Sequence, residues 1–181
     1  VLSLVRSDPR RAERALENMA DLFRALMGDA RQLASLEDEV ALTRAYLELE
    51  QLRLGDRLQV AWHINKMPGD ALIPPLVIQP LVENAVYHGI EPLADGGEIS
   101  LNIYRSADKV HIVVRNPVAT EAGHHKGNRI ALEYIRERLL LHFDLDAQLK
   151  LEPLGAVYQV HIVIPYTHER TQPAPARPHR R

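Results

Sequence analysis

The sequence predicts an α+β fold: a two-layer sandwich in which helices cover one face of a mixed, mainly antiparallel sheet, with further helices ahead of it. Three observations lead there. Apolar and polar residues alternate in five runs between Leu58 and Ile164, the period of strands that bury one face and wet the other. Four of those runs form two pairs joined by short turns, as antiparallel hairpins do. The segments before and between them repeat apolar residues every three or four positions, the helical period. A sheet with one apolar face must be covered, and these helices are what the chain offers.

Asp8 and Pro9 open the first helix, because a side-chain oxygen caps free amides and proline suits the first helical position. Ala12, Leu16, Met19, Phe23 and Leu26 then recur at alternating spacings of four and three, a coiled-coil seam. Such a seam serves either a second copy of the helix or the helix's own domain. Ser35 caps a second helix, with Glu37, Asp38 and Glu39 at the positive end of its dipole. That helix is expected to run to Leu54, where Gly55 supplies a left-handed close.

Leu58, Val60, Trp62 and Ile64 make the first strand. Ile99, Leu101 and Ile103 pair with Val110, Ile112 and Val114 through a turn at Ser106-Ala-Asp108. Ala147, Leu149 and Leu151 pair with Tyr158, Val160, Ile162 and Ile164 through Pro153-Leu-Gly155. Helices are expected at Leu81–Gly89, which reads LVENAVYHG, and at Ile130–Phe143. In the former, Pro80 would cost about 3 kcal/mol in a helix interior. A start near Leu76 or Val77 places it in the first turn, where amides have no intrahelical partner. Residues 167–181, rich in proline and arginine, read as a disordered tail.

Composition narrows the function classes. With 22 basic and 24 acidic residues and a net charge of −2, the chain lacks the broad basic field that direct nucleic-acid binding needs. It contains no cysteine, which removes disulfides, thiolate nucleophiles and cysteine-based zinc sites and fits an intracellular compartment. No apolar run approaches the roughly 20 residues of a spanning helix. The opening VLSLVRSD has no signal-peptide pattern and reads as the continuation of a longer chain. Neither a serine-hydrolase nor a retaining-glycosidase pattern is present.

The chemistry concentrates in LVENAVYHG. Asn84 and His88, four apart, share a helix face with Glu83 one step round it. A carboxamide oxygen beside a carboxylate suits magnesium, which keeps its waters and bridges to phosphates. A solvent-facing polar helix edge would read the same way. His124-His125 with Lys126 offers no third ligand for a metal and reads as part of a loop over Val118–Lys126.

PPLVIQPLVENAVYHGIE resembles the asparagine-containing N box of the Lyt-type sensor histidine kinases, including the alginate-regulator sensors. Their ATP-binding domain has the Bergerat fold shared with gyrase. AERALENMADLFRALM resembles the second dimerisation helix of that family, SLEDEVALTRAYLELEQLRLGDRL the helix leading into the catalytic domain, and GNRIALEYIRERL the segment after the ATP lid. The resemblance implies partial dimerisation helices over 1–34, a connecting helix over 35–56 and an ATP-binding domain over 57–166. It implies that Asn84 coordinates Mg2+ on the ATP phosphates, that Glu83 is the base or water-positioning group, and that His88 contacts phosphate. Tyr87, Asn116, Gly127, Arg129 and Leu132 fall at further nucleotide-contacting positions. The partners implied are a response regulator, of the DNA-binding Lyt type by analogy, and a second copy bound through the N-terminal helices. The location implied is the cytoplasmic face of the bacterial inner membrane, reached through a preceding part of the chain.

Two departures from the family pattern stand out. Where relatives carry Asp-Asn-Gly-x-Gly, this chain has Arg115-Asn-Pro-Val-Ala119, which reads as a cation in place of the adenine acceptor. Losing that buried bond would cost about 1 to 3 kcal/mol. Glu121 is a conceivable substitute acceptor. Where relatives carry Gly-x-Gly-x-Gly-Leu, only Gly127 and Leu132 remain, with Arg129 and Ala131 in the other glycine positions. The phosphorylated histidine of the family lies in Asn-Pro-His-Phe, expected just before Val1; none of the 9 histidines here has that context. The resemblance thus implies transfer of the ATP γ-phosphate to a histidine outside this segment. The alternative is a pseudokinase, a dimeric scaffold binding ATP weakly or not at all and controlling its regulator by contact or phosphatase action.

Overall fold

The computed structural model describes residues 32–118 and 126–168, together with residues 8–10, 12, 13, 16, 17 and 20. For residues 126–130 only the backbone is described. Met19, Phe23 and Leu26 of the expected seam, Glu121, His124, His125 and the tail beyond His168 lie outside the described residues. Of the seam's described positions, Ala12 is buried and Leu16 is 54% exposed.

Five strands form the main sheet: β2 (Leu58–His63), β4 (Gly97–Ser106), β5 (Lys109–Pro117), β6 (Gln148–Leu154) and β7 (Val157–Pro165). Their order is β2-β4-β5-β7-β6. Only β2 runs parallel to its neighbour; β4-β5, β5-β7 and β7-β6 are antiparallel. The mixed, mainly antiparallel sheet expected from the alternation is therefore present. Two short strands not expected from the sequence, β1 (Ala34–Ser35) and β3 (Leu72–Ile73), pair antiparallel beside it. The second hairpin turns at Gly155-Ala156, two residues later than expected, because Pro153 and Leu154 still pair with Tyr158 and Val157.

Helix α1 (Leu36–Leu54) starts as the sequence requires: the Ser35 hydroxyl accepts from the Asp38 amide at 3.1 Å. It closes at Gly55 with φ 59° and ψ −137°. The positive φ was expected, but ψ lies outside the left-handed helical well, and the chain tightens into a 3-10 turn, Gly55–Arg57. Helix α2 (Ile78–Ala85) has Val77 as its cap residue, so Pro80 falls in the first turn. Helix α3 (Lys126–Phe143) begins four residues before the expected Ile130.

These helices cover one face of the sheet. Leu36, Val40 and Leu47 of α1 join Ile78, Leu81, Val82 and Ala85 of α2, Leu132, Ile135 and Leu139 of α3, and the inward residues of β4, β5 and β7 in one core cluster. The connecting helix thus shares the core of the domain that follows it. Burying the larger of these side chains contributes about 1.5 to 3 kcal/mol each.

Among the described residues no helix covers the other face of the sheet, which carries Tyr104, His111, Arg115, Gln159 and His161 beside Val113 and Val163. His111 Nδ1 and His161 Nε2 face each other there at 3.0 Å, with Tyr104 stacked on His111. Burial and the His111 charge hold the His161 imidazole below its ordinary value of 6.5. The unfolded chain therefore binds the proton more readily, so stability rises with pH through this group. The contribution is present above pH 6.5 and is lost as the pH falls below it. A thermal-melting series from pH 8 to pH 5 should show a decline at the acid end that is shallower in His161→Gln. Parallel curves would remove the pair as its cause.

Candidate functional site

Helix α2 enters its first turn without a side-chain cap of its own: Val77 is in the αR region and makes no capping bond. Its free amides are satisfied from α1. The Glu39 carboxyl, itself buried, accepts from the Leu76 amide at 2.6 Å, Val77 at 3.1 Å and Ile78 at 3.2 Å. Burial pushes the Glu39 carboxyl up, and these amides and the Arg138 charge pull it back. Glu39 was expected to serve its own helix's dipole; it serves another helix's. The signal available in sequence was an apolar start with no capping residue at Leu76-Val77, which demands an acceptor from elsewhere without saying which.

From this anchored start α2 sorts its side chains. Ile78, Leu81, Val82 and Ala85 enter the core. Glu83 and Tyr87 form an exposed row, Tyr87 at 63%, and Asn84 and His88 a half-buried row beside it. Glu83 Oε1 accepts from Gln79 Nε2 at 2.8 Å. The His88 ring meets Tyr87 edge to face at 4.8 Å. Asn84 Nδ2 is buried and has no hydrogen-bond partner. A buried polar nitrogen without an acceptor costs about 1 to 3 kcal/mol, so each such case asks for an explanation.

Past Ala85 the helix widens into a π turn, Val86–Ile90, closed by the Glu91 amide on the Val86 carbonyl at 3.0 Å. Turns of this kind recur at functional sites. Here the turn brings Gly89 against the end of β5: a Cβ built on Gly89 would lie 2.4 Å from Asn116 Nδ2 and 2.9 Å from the Pro117 carbonyl oxygen. The Asn116 side chain is therefore on the helix-covered face, buried, with Nδ2 donating to the Pro117 carbonyl at 2.8 Å.

This placement corrects the reading of Arg115 as the residue that replaced the adenine acceptor. Strand β5 continues its alternation through Pro117, so Val110, Ile112, Val114 and Asn116 point inward. Arg115 is exposed on the helix-free face, where its Nε donates to Gln159 Oε1 at 2.5 Å. The residue in the inner position is a carboxamide, not a cation. Arg115→Asp is accordingly expected to leave nucleotide affinity within about twofold; a tenfold gain in a calorimetric titration would restore the earlier reading.

The remaining positions lie further along the helix layer. Gly127 and Arg129 fall in the first turn of α3 rather than in a loop. Leu132, one turn on, is buried in the core cluster. The structure thus sets Asn84 on α2 and His88 on the π turn that continues it, where Gly89 packs against Asn116, with Glu83 and Tyr87 on the outer side. Among the described residues no group of three His, Cys, Asp or Glu is placed to hold a metal ion, and no helix is long and apolar enough to cross a membrane.

A histidine kinase family model matches residues 1–58. The sensor protein LytS of Oceanobacillus iheyensis is 31% identical over 179 residues, covering 91% of this chain and 31% of that protein. The sensor histidine kinase/phosphatase LytS of Staphylococcus aureus is 28% identical over 190 residues, covering 95% and 32%. The chain spans about a third of the length of these relatives. Among solved structures, the catalytic domain of histidine kinase ThkA matches with TM-score 0.55 at 15% identity over 75% of this chain and 95% of that one. The histidine kinase domain of the blue-light activated kinase of Erythrobacter litoralis matches with TM-score 0.53 at 17% identity over 90% and 83%. Over most of its length the chain is thus homologous to the LytS sensor histidine kinases, and its α+β sandwich is the fold of a histidine kinase catalytic domain.

Proposed function

We propose that this segment is the nucleotide-binding, catalytic region of a two-component sensor kinase, passing the γ-phosphate of ATP to a histidine elsewhere in the longer protein and from there to an aspartate of a response regulator. The observation that carries the proposal is Asn84: a carboxamide with a partnerless nitrogen, half-buried beside His88 and one step from Glu83 on a helix edge. The residues fit Mg-ATP. Magnesium takes one or two protein oxygens and completes its shell from water and phosphates, so a cage of three acidic ligands is not required. Asn84 would supply that oxygen, and the ion would neutralise charge developing on the transferred phosphoryl group.

The protein's own contribution is binding and orientation. His88 donates toward a phosphate oxygen from the row it shares with Asn84. Glu83, oriented by Gln79, positions or accepts the proton of the attacking group. Tyr87 lies exposed beside both, where a nucleotide would cover it. On the far side of Gly89, Asn116 has its nitrogen engaged by the Pro117 carbonyl, which leaves its oxygen to accept the adenine amino proton. Gly127, Arg129 and Leu132 follow from α3, with the backbone of its first turn toward the phosphates. The preceding helices would pair two copies of the chain and carry it at the cytoplasmic face of the inner membrane, and the response regulator would be of the DNA-binding Lyt type.

The pseudokinase alternative rests on Arg115, Pro117 and the missing lid glycines; Arg115 points away from the helix layer and no longer speaks for it, and relatives named as sensor histidine kinases do not favour it. Calorimetric titration with Mg-ATP tests the proposal. Saturable binding at or below millimolar concentration is expected, and its absence would overturn the reading.

A further inference from the structure

We propose that α1, with the 3-10 turn that closes it, is a lever that sets the position of the Asn84 helix, gripping it at both ends: Glu39 holds its amide end, and Arg53 with Arg57 of the turn holds the carbonyl end. The regulatory part of this inference rests on the nucleotide-binding reading. The geometry that supports it is independent of that reading.

At the amide end, Glu39 takes three consecutive amides, as described above. The first belongs to Leu76, whose φ of 59° is in the left-handed region, unusual for a leucine. Such a conformation is strained and persists only where its surroundings hold it. The Glu39 carboxyl, 2.6 Å from the Leu76 amide, is the group that holds it. At the other end, Arg57 Nη2 donates to the carbonyls of Glu91 at 3.0 Å and Leu93 at 2.8 Å. Arg53 pairs with the Glu91 carboxylate. A carboxyl acceptor at the amide end and cations at the carbonyl end are the arrangement that a helix with free amides and free carbonyls calls for.

The spacing matches. Glu39 and Arg53 are 14 positions apart, about 21 Å along a helix, and Ile78 to Glu91 spans a similar length. The two helices therefore lie side by side and parallel, with Val40, Thr43 and Leu47 of α1 forming the buried stripe between the grips. An exposed ion pair such as Arg53–Glu91 contributes little to stability by itself. Two grips at opposite ends of one helix do something stability does not require: they fix its axial position. A displacement of α1 then shifts Asn84 and the π turn relative to Asn116 on the sheet. Helices preceding α1 would reach the nucleotide site through this contact.

The test uses the full chain and three variants: Glu39→Gln, the double Arg53→Ala/Arg57→Ala, and Arg44→Ala. The last removes a different α1 contact, the guanidinium 4.2 Å over the Trp62 ring on β2. Both grip variants are expected to weaken Mg-ATP binding about tenfold, and less than additively when combined, while Arg44→Ala leaves it within twofold. Equal losses in all three, or an effect confined to one grip, would overturn the inference. If the unmodified chain binds no Mg-ATP, the nucleotide reading falls by itself, and the grip is read instead from hydrogen exchange at the Glu91 amide. Faster exchange there in Glu39→Gln, at the far end of the helix from the substitution, supports the lever; an unchanged rate removes it.

Discussion

Asn84→Ala is expected to weaken Mg-ATP binding about 100-fold while leaving the melting temperature unchanged or slightly raised. The two halves of this expectation come from one observation. Asn84 Nδ2 is buried without a partner, so the side chain contributes little to folding and its removal relieves a desolvated polar group. A residue that is neutral or unfavourable to stability and yet lies beside His88 and Glu83 at a helix edge is a candidate for function. On the proposed reading, removing its oxygen would take away a direct ligand of the ion, which matters more than removing the outer-shell partners whose loss costs 10- to 100-fold. Calorimetry and a thermal melt on the same preparation decide the matter. A melting temperature that falls in step with affinity would mark Asn84 as structural, and unchanged affinity would end its role.

Much of the sheet was legible because period two survives translation into structure without help from distant residues. Ile99, Leu101 and Ile103 and their partners Ile112 and Val114 are buried as their alternation requires. The start of α2 was legible for a different reason: Pro80 excludes all but a narrow window of helix starts, and Val77 as cap falls inside it. What failed were features decided by tertiary contact. Nothing local distinguishes Glu39 from Glu37 and Asp38, yet Glu39 alone of the three is buried and caps another helix. The π turn at Val86–Ile90 leaves no mark on the heptad-like spacing of LVENAVYHG.

Arg115 is the instructive error. Setting the family's Asp-Asn-Gly-x-Gly motif on its asparagine puts Arg115 in the acceptor position, whereas the alternation Val110, Ile112, Val114, carried one step further, turns Asn116 to the inner face. The periodicity was in the sequence and outranked the motif. Its consequence for function is direct, since a carboxamide oxygen can accept from an adenine amino group and a guanidinium cannot.

Gly89→Ala is expected to lower stability by about 1 to 3 kcal/mol and to reduce nucleotide affinity at least as much as Asn84→Ala. Backbone conformation is not the cause, because Gly89 is not among the residues with positive φ. Space is. The added methyl would lie 2.4 Å from Asn116 Nδ2, 3.0 Å from its Cβ and 2.9 Å from the Pro117 carbonyl oxygen. The first is a side-chain tip that can swing away. The second and third belong to the end of β5, which β7 holds through Tyr158 and Val157, so relief falls mainly on the π turn, which carries His88. On the proposed reading, either motion would separate the phosphate side of the site from its adenine side. Combining Gly89→Ala with Asn116→Ala removes the closest contact, so the double variant should regain part of the lost melting temperature without regaining affinity. Recovery of both together would mean that the Gly89–Asn116 contact serves packing alone, and recovery of neither that the Pro117 carbonyl, not Asn116, sets the limit.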